Sequence, residues 1–200
     1  LPTKTYRDLL DAGYDRFTAP LHGGFDGLNI TEKEPFRNSL LSGKTEINNY
    51  AYNSLKRAID TVADPEVVEA NLMTVPGVND STLTEHLIDV CERRGDALAI
   101  IDLQNDYVPT TENYSSEAAR LPNITSAIAS LRTRGINSSY GCCFFPWVQI
   151  RDTTTGRLIY APPSVAALGT FGSSQARTEL WFAPAGFTRG GLSQGAAGIP

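Results

Sequence analysis

Between Asn71 and Phe145 three short apolar runs alternate with two segments of helical spacing, separated by turns. The first run, Asn71 to Val75, is closed by Pro76-Gly77. Asp80 or Ser81 can cap the segment that follows, with Thr82 and Glu85 at capping-box spacing. That segment places Leu83, Leu87, Ile88 and Cys91 on one face and stops at Gly95, a suitable C′ residue. The second run, Ala97 to Leu103, is continuously apolar. Pro122 starts the next helix, with Ile124, Ala127, Ile128 and Leu131 inward and Gly135 at its end, and Ser139 to Phe145 is the third run. Strands joined through helices with short turns imply right-handed crossovers and a parallel sheet covered by helices. The pattern predicts an α/β (α+β) chain with a parallel βαβαβ core sheet flanked by helices.

The grammar differs on either side of this block. Thr5 to Phe17 spaces Tyr6, Leu9, Leu10, Gly13, Tyr14 and Phe17 at helical intervals, and Ala19 to Gly27 is rich in turn residues. A helix is expected over Glu46–Val62, with Ile47, Ala51, Leu55, Ala58, Ile59 and Val62 on its inner face and Asp64-Pro65 ending it. After Pro146, Val148 to Asp152 and Arg157 to Ala161 flank a polar turn and read as an antiparallel hairpin extending or edging the sheet. Pro162-Pro163-Ser164 then opens a small-residue helix that leads to Trp181-Phe182 and Pro184-Ala185-Gly186. The tail, with Gly186, Gly190, Gly191, Gly195 and Gly198, needs a neighbour to order it. Residues 1–70 are thus expected to form a helical and loop N-terminal part, and 71–200 the α/β core domain. The first residue is Leu and the last run is glycine-rich, so the chain is expected to be an internal piece of a longer protein.

Composition narrows the chemistry. A net charge of −5 argues against nucleic-acid binding, which wants a basic stripe. Residues 1–100 carry 10 Lys+Arg against 16 Asp+Glu, and residues 101–200 carry 7 against 6, an imbalance suited to head-to-tail packing. No apolar run approaches the roughly 20 residues of a membrane helix. Cys91, Cys142 and Cys143 make no disulfide framework, and adjacent strand residues face opposite ways, so the pair does not form one metal corner. His22 and His86 are isolated, and no metal or cofactor site is expected.

One segment does carry a catalytic resemblance. Ala99 to Val108, AIIDLQNDYV, resembles the opening strand of isochorismatase-like cysteine hydrolases, which would make Asp102 the base and Cys142 or Cys143 the nucleophile. That family's triad needs a Lys between the two, and all four lysines (Lys4, Lys33, Lys44, Lys56) precede Asp102. The basic residues in the interval are Arg120, Arg132 and Arg134, of which the last two suit a solvated or dipole-facing place at a helix end. Asp102 and Asp106 are therefore expected to be strand-end and turn carboxylates that bond nearby backbone N–H groups.

A second resemblance covers more of the chain. The strand ending in Val75-Pro76-Gly77, the apolar strand ending in Ile100-Ile101-Asp102, the aromatic-ended strand Tyr140 to Trp147, Pro162-Pro163-Ser164, and Trp181 with Pro184-Ala185-Gly186 follow in the order found in contractile tail sheath proteins. Leu21 to Leu28 resembles that family's Leu-x-Gly-Gly-x-Asp-Gly segment. The chain departs from the pattern at Gln175-Ala176-Arg177, where the family usually has an acidic position. The resemblance implies a non-enzymatic structural subunit of a phage tail, assembled in the bacterial cytoplasm. Its partners would be other copies of itself, in hexameric rings stacked helically around a tail tube protein, together with a baseplate and a tail terminator. Contraction would be a switch between two lattices, driven by energy stored in assembly without a nucleotide. The sheath of a bacterial injection system or tailocin shares this physics. Asp152, Thr154 and Arg157 in the hairpin, and Arg177, Glu179, Trp181, Phe187 and Arg189 beyond the small-residue helix, are the expected lattice contacts.

Overall fold

The computed structural model describes residues 8, 11–13, 35–109, 116, 118–192 and 196–199. The helix expected over Thr5–Phe17 lies largely outside the described residues, and the Ala19–Gly27 turns, His22 and the Leu21–Leu28 segment lie wholly outside them.

The alternating block folds as its pattern predicts. Strands β1 (Leu72–Thr74), β2 (Leu98–Ile101) and β3 (Gly141–Cys143) form one parallel sheet in the order β1-β2-β3. Helix α2 (Ser81–Arg94), preceded in the chain by α1 (Tyr50–Thr61), crosses from β1 to β2, and α3 (Ile124–Arg134) crosses from β2 to β3. Asp80 caps α2 by accepting the Leu83 N–H at 3.1 Å, and Gly95 ends it in the left-handed conformation at φ 72°. Gly135 ends α3 the same way, at φ 62°. The capping box is not formed. Thr82 donates to Asp80, while Glu85 turns away to pair with Arg134.

Leu87, Ile88, Val90 and Cys91 of α2 pack on Met73, Ala99 and Ile101 of the sheet as one buried cluster. Gly141 has a packing reason: a Cβ there would lie 3.0 Å from Ile88 Cδ1, so the missing side chain lets α2 settle onto β3. A second cluster of Leu41, Tyr52, Val78 and Leu83 joins residues 35–61 to α2, and the Tyr52 hydroxyl donates to Thr82 Oγ1 at 2.9 Å. Arg94 completes the joint. Its guanidinium is withdrawn from solvent and donates to the carbonyls of Val62, Val68 and Ala70 and to Asp96, fixing the connection between α1 and β1.

Two inner faces differ from expectation. Helix α1 starts at Tyr50, capped by Asn49, and its inward stripe is Tyr52, Leu55 and Ile59. Ile47 lies in the preceding turn, 94% exposed, and Ala51 and Ala58 face solvent because the larger side chains set the contact with α2. On α3, Ala127 is buried and Leu131 packs on the core, but Ile124 and Ile128 are 60% and 45% exposed. The helix meets the core through Ala127 and Leu131, so its contact stripe is narrower than its apolar pattern.

The hairpin forms, but not on the parallel sheet. β4 (Val148–Arg151) and β5 (Leu158–Ala161) pair antiparallel, with Val148 opposite Ala161 and Arg151 opposite Leu158. The other edge of β4 is taken by β6 (Ala196–Gly198), giving a separate sheet in the order β5-β4-β6. The glycine-rich tail thus finds its neighbour in β4, through backbone pairing that needs no apolar side chains. Between the hairpin and the tail runs α4 (Pro163–Arg177), followed by a single helical turn at Gly186–Arg189.

Candidate functional site

Asp102 follows directly on β2, at the carboxyl end of the parallel sheet, where α/β folds commonly place their polar sites. It is 2% exposed, and its partners come from far along the chain. Oδ2 accepts the Gly77 N–H at 2.7 Å and the Ser164 hydroxyl at 2.7 Å, and Oδ1 accepts the Ser164 N–H at 3.1 Å. The expectation of nearby backbone donors is corrected here: the donors stand 25 and 62 positions away. Burial raises the Asp102 pKa, and the Gly77 and Ser164 donors offset only part of that rise.

Asp106 is the odd member of the pair. Asn105, at φ 60°, turns the chain back inward, so Asp106 is 1% exposed, yet among the described residues neither carboxyl oxygen has a hydrogen-bond partner. Burial and then the neighbouring Asp102 charge push its pKa up to about 7. The Trp147 backbone N–H pulls the other way without reaching hydrogen-bonding geometry. An aromatic group stands beside this site. Phe36 meets Trp147 edge-on at 5.5 Å, and Tyr107 stacks on Tyr160 at 4.0 Å.

The thiols of the cysteine-hydrolase reading are placed at the sheet but not activated. Cys142 and Cys143 lie opposite Ile100 and Ile101 on β3, both half-buried. Burial raises both thiol pKa values, and Asp106 and Asp102 raise that of Cys143 further. A nucleophilic cysteine needs the opposite shift. Of the two places expected for Arg134, solvated or dipole-facing, it takes the second, in the last turn of α3 and withdrawn from solvent. Its side chain is 8% exposed and engages Glu85 at 2.8 Å, Thr84 Oγ1 at 2.8 Å and the Ser81 carbonyl, locking the end of α3 to the start of α2. Iodoacetamide should therefore alkylate Cys142 and Cys143 several-fold more slowly than free cysteine at pH 7, with the rate still climbing above pH 9. Alkylation at pH 7 faster than that of free cysteine would restore the nucleophile. Among the described residues no cluster of three or more His, Cys, Asp or Glu could hold a metal ion.

The expected lattice residues fall into two groups that share no hydrogen bond or ring contact among the described residues. In the hairpin, Asp152 is engaged by its own turn, accepting from the N–H groups of Thr154 and Thr155 and from the Thr155 hydroxyl. These bonds, the Thr155 hydroxyl first, lower its pKa. Thr154 and Arg157 are exposed. Beyond α4 the picture is different. Leu180 and Trp181 are 81% and 77% exposed, and Phe187 is fully exposed. Trp181 stacks on Phe182 at 4.1 Å, and the Arg189 guanidinium lies 4.7 Å over the same Phe182 ring. Arg177 is bonded to Ser173 Oγ at 2.7 Å, and Glu179 is exposed. A shallow apolar cavity of about 250 Å³ adjoins this segment, lined in part by Phe145, Val148, Ala167, Phe171, Pro184 and Leu192.

Among the described residues no helix is long and apolar enough to cross a membrane. In comparisons with known proteins, no family model, no curated protein and no solved structure matches this chain.

Proposed function

We propose that this chain is the core of a contractile tail sheath subunit, which polymerises as stacked hexameric rings around a tail tube and drives the tube through a target envelope. The observation that carries the reading is the exposed apolar segment after α4. Leu180, Trp181 and Phe187 stand in solvent within eight residues of one another, held up by the Trp181–Phe182–Arg189 stack. A soluble monomer seldom leaves such large side chains together on its surface, whereas a subunit that covers them in its lattice does so by necessity. The buried Asp102 adds support. It ties the Pro-Gly turn, the strand-ending Asp and the Pro-Pro-Ser helix start into one structural unit, so three short motifs of the resemblance stand together in space.

In this reading the chain works without cofactor or catalysis, binds other copies of itself, the tube, the baseplate and the tail terminator, and resides in the virion after assembly in the bacterial cytoplasm. The sheath of a bacterial contractile injection system would use the same surfaces. The doubly substituted protein Trp181→Ser, Phe187→Ser tests the proposal. The unmodified full-length protein is expected to sediment as large polymers at raised concentration, and the double variant as a small species with an unchanged unfolding midpoint. Polymers unaffected by the substitutions would sink the role of this segment.

A further inference from the structure

We propose that the buried Asp102–Asp106 pair is a proton-operated latch on α4, closed while Asp106 carries a proton and loosened when it loses it. The latch does not rest on the sheath reading. Its first part is the way α4 begins. Pro162 occupies the N-cap position and offers no side-chain acceptor, and Pro163 has no N–H, so the first free donor of the helix is Ser164. Asp102 takes both the Ser164 N–H and its hydroxyl, capping α4 from a residue 62 positions away. A negative charge is favoured at a helix N-terminus, and the same Oδ2 holds the Gly77 N–H. Ionised Asp102 therefore clamps α4 and the Pro76-Gly77 turn to the end of β2.

The second part is Asp106. Both its oxygens are buried without a hydrogen-bond partner among the described residues, so a charge here has only the Trp147 backbone N–H, outside hydrogen-bonding geometry, to stabilise it. The groups that face it do not help. Asp102 from the loop after β2 repels it, and Cys143 of β3 is a high-pKa thiol. Arg134, which acts on Cys143 from the end of α3, is engaged with Glu85, Thr84 and Ser81. Tyr107, the next residue, stacks on Tyr160 of β5 and is bonded to Arg120. The two carboxyls thus stand in different surroundings, Asp102 with three donors that favour its charge and Asp106 with none that reaches hydrogen-bonding geometry.

Losing the Asp106 proton would put two like charges in one dry enclosure. Water relieves this only if the enclosing parts separate, and the first turn of α4, tied to Asp102 through Ser164, is one of them. The sign follows from linkage. The closed-state pKa of about 7 lies above the ordinary 3.8, so the proton on Asp106 favours closure, and this contribution is complete below about pH 4. It weakens roughly tenfold per pH unit through that window and levels off above about 7. Helix α4 leads directly into the exposed 178–192 segment, so the latch sets how firmly that segment is carried.

Hydrogen exchange of the full chain at pH 5, 6, 7 and 8, with rates placed on a common intrinsic scale, tests this. The opening equilibrium of amides 165–170 should rise roughly tenfold per unit from pH 5 towards 7 and then level off. Helix α2 should stay unchanged, and Asp106→Asn should remove the slope. A flat profile for α4, a parallel rise in α2, or a slope that survives Asp106→Asn would overturn the latch. Should Asp106→Asn not fold, the side-chain carboxyl of Asp106 in the unsubstituted chain, followed by carbon NMR, decides. A transition near 7 supports the latch and one near 4 refutes it.

Discussion

Asp102→Ala is expected to destabilise the fold by about 4 kcal/mol, read as a large drop in the denaturant midpoint with little change in slope. The substitution leaves the Gly77 N–H, the Ser164 N–H and the Ser164 hydroxyl without an acceptor in a site that excludes water. Each orphaned buried donor costs about 1–3 kcal/mol, and the cap of α4 is lost with them. Ser164→Ala removes one of the three bonds and is expected to cost only about 1–2 kcal/mol. If Asp102→Ala and Ser164→Ala proved equal, the carboxylate would not be the joint between these elements.

Gly77→Ala is the second large effect. Gly77 sits at φ 76°, where an L side chain is strained, and a Cβ built there would lie 2.1 Å from the Phe36 ring. The ring cannot simply swing away, because it is set edge-on against Trp147. Asn38 holds the turn from the other side, donating to the Gly77 carbonyl at 2.8 Å and accepting the Asn79 N–H. Backbone strain and overpacking together predict a loss of about 2–4 kcal/mol. Gly95→Ala supplies the comparison. Its φ is 72° but among the described residues nothing lies within 4 Å of the added methyl, so only the conformational cost of about 1–2 kcal/mol applies. Equal losses at the two positions would mean that Phe36 gives way freely.

Much of the fold was legible because its signals are local. Continuous apolar runs, Asp80 before α2, and the glycines at 95 and 135 each mark a boundary by chemistry confined to a few residues. The interior of the site was not legible, because a carboxylate does not announce which distant donors will meet it. Asp102 bonds Gly77 and Ser164 only because β2 runs between the Pro-Gly turn and the start of α4. Arg94 and Arg134 were hidden for a related reason. Charge suggests solvent, but a guanidinium has five donors, and the carbonyls left over at element junctions can occupy them. The third strand of the second sheet was hidden because Ala196–Gly198 pairs by backbone alone and has no strand composition. Of the expected lattice contacts, the hairpin members were only half informative. Asp152 serves its own turn, whereas Trp181 and Phe187 stand free of the core.

These observations divide the molecule by role. The parallel sheet with α1 and α2 forms a packed body, and the Asp102 joint fastens α4 to it. The residues beyond α4 present apolar side chains that the body does not cover. In the proposed lattice, strain on this segment would pass through α4 to the joint at its N-terminus, with the buried carboxyl pair on the path between the proposed contact surface and the core.

Electron microscopy of the full-length protein, expressed alone and concentrated, tests the central claim most directly. Hollow tubes or stacked rings of fixed diameter with six-fold symmetry are the predicted result. Stable small oligomers that never polymerise, whatever the concentration, would contradict it.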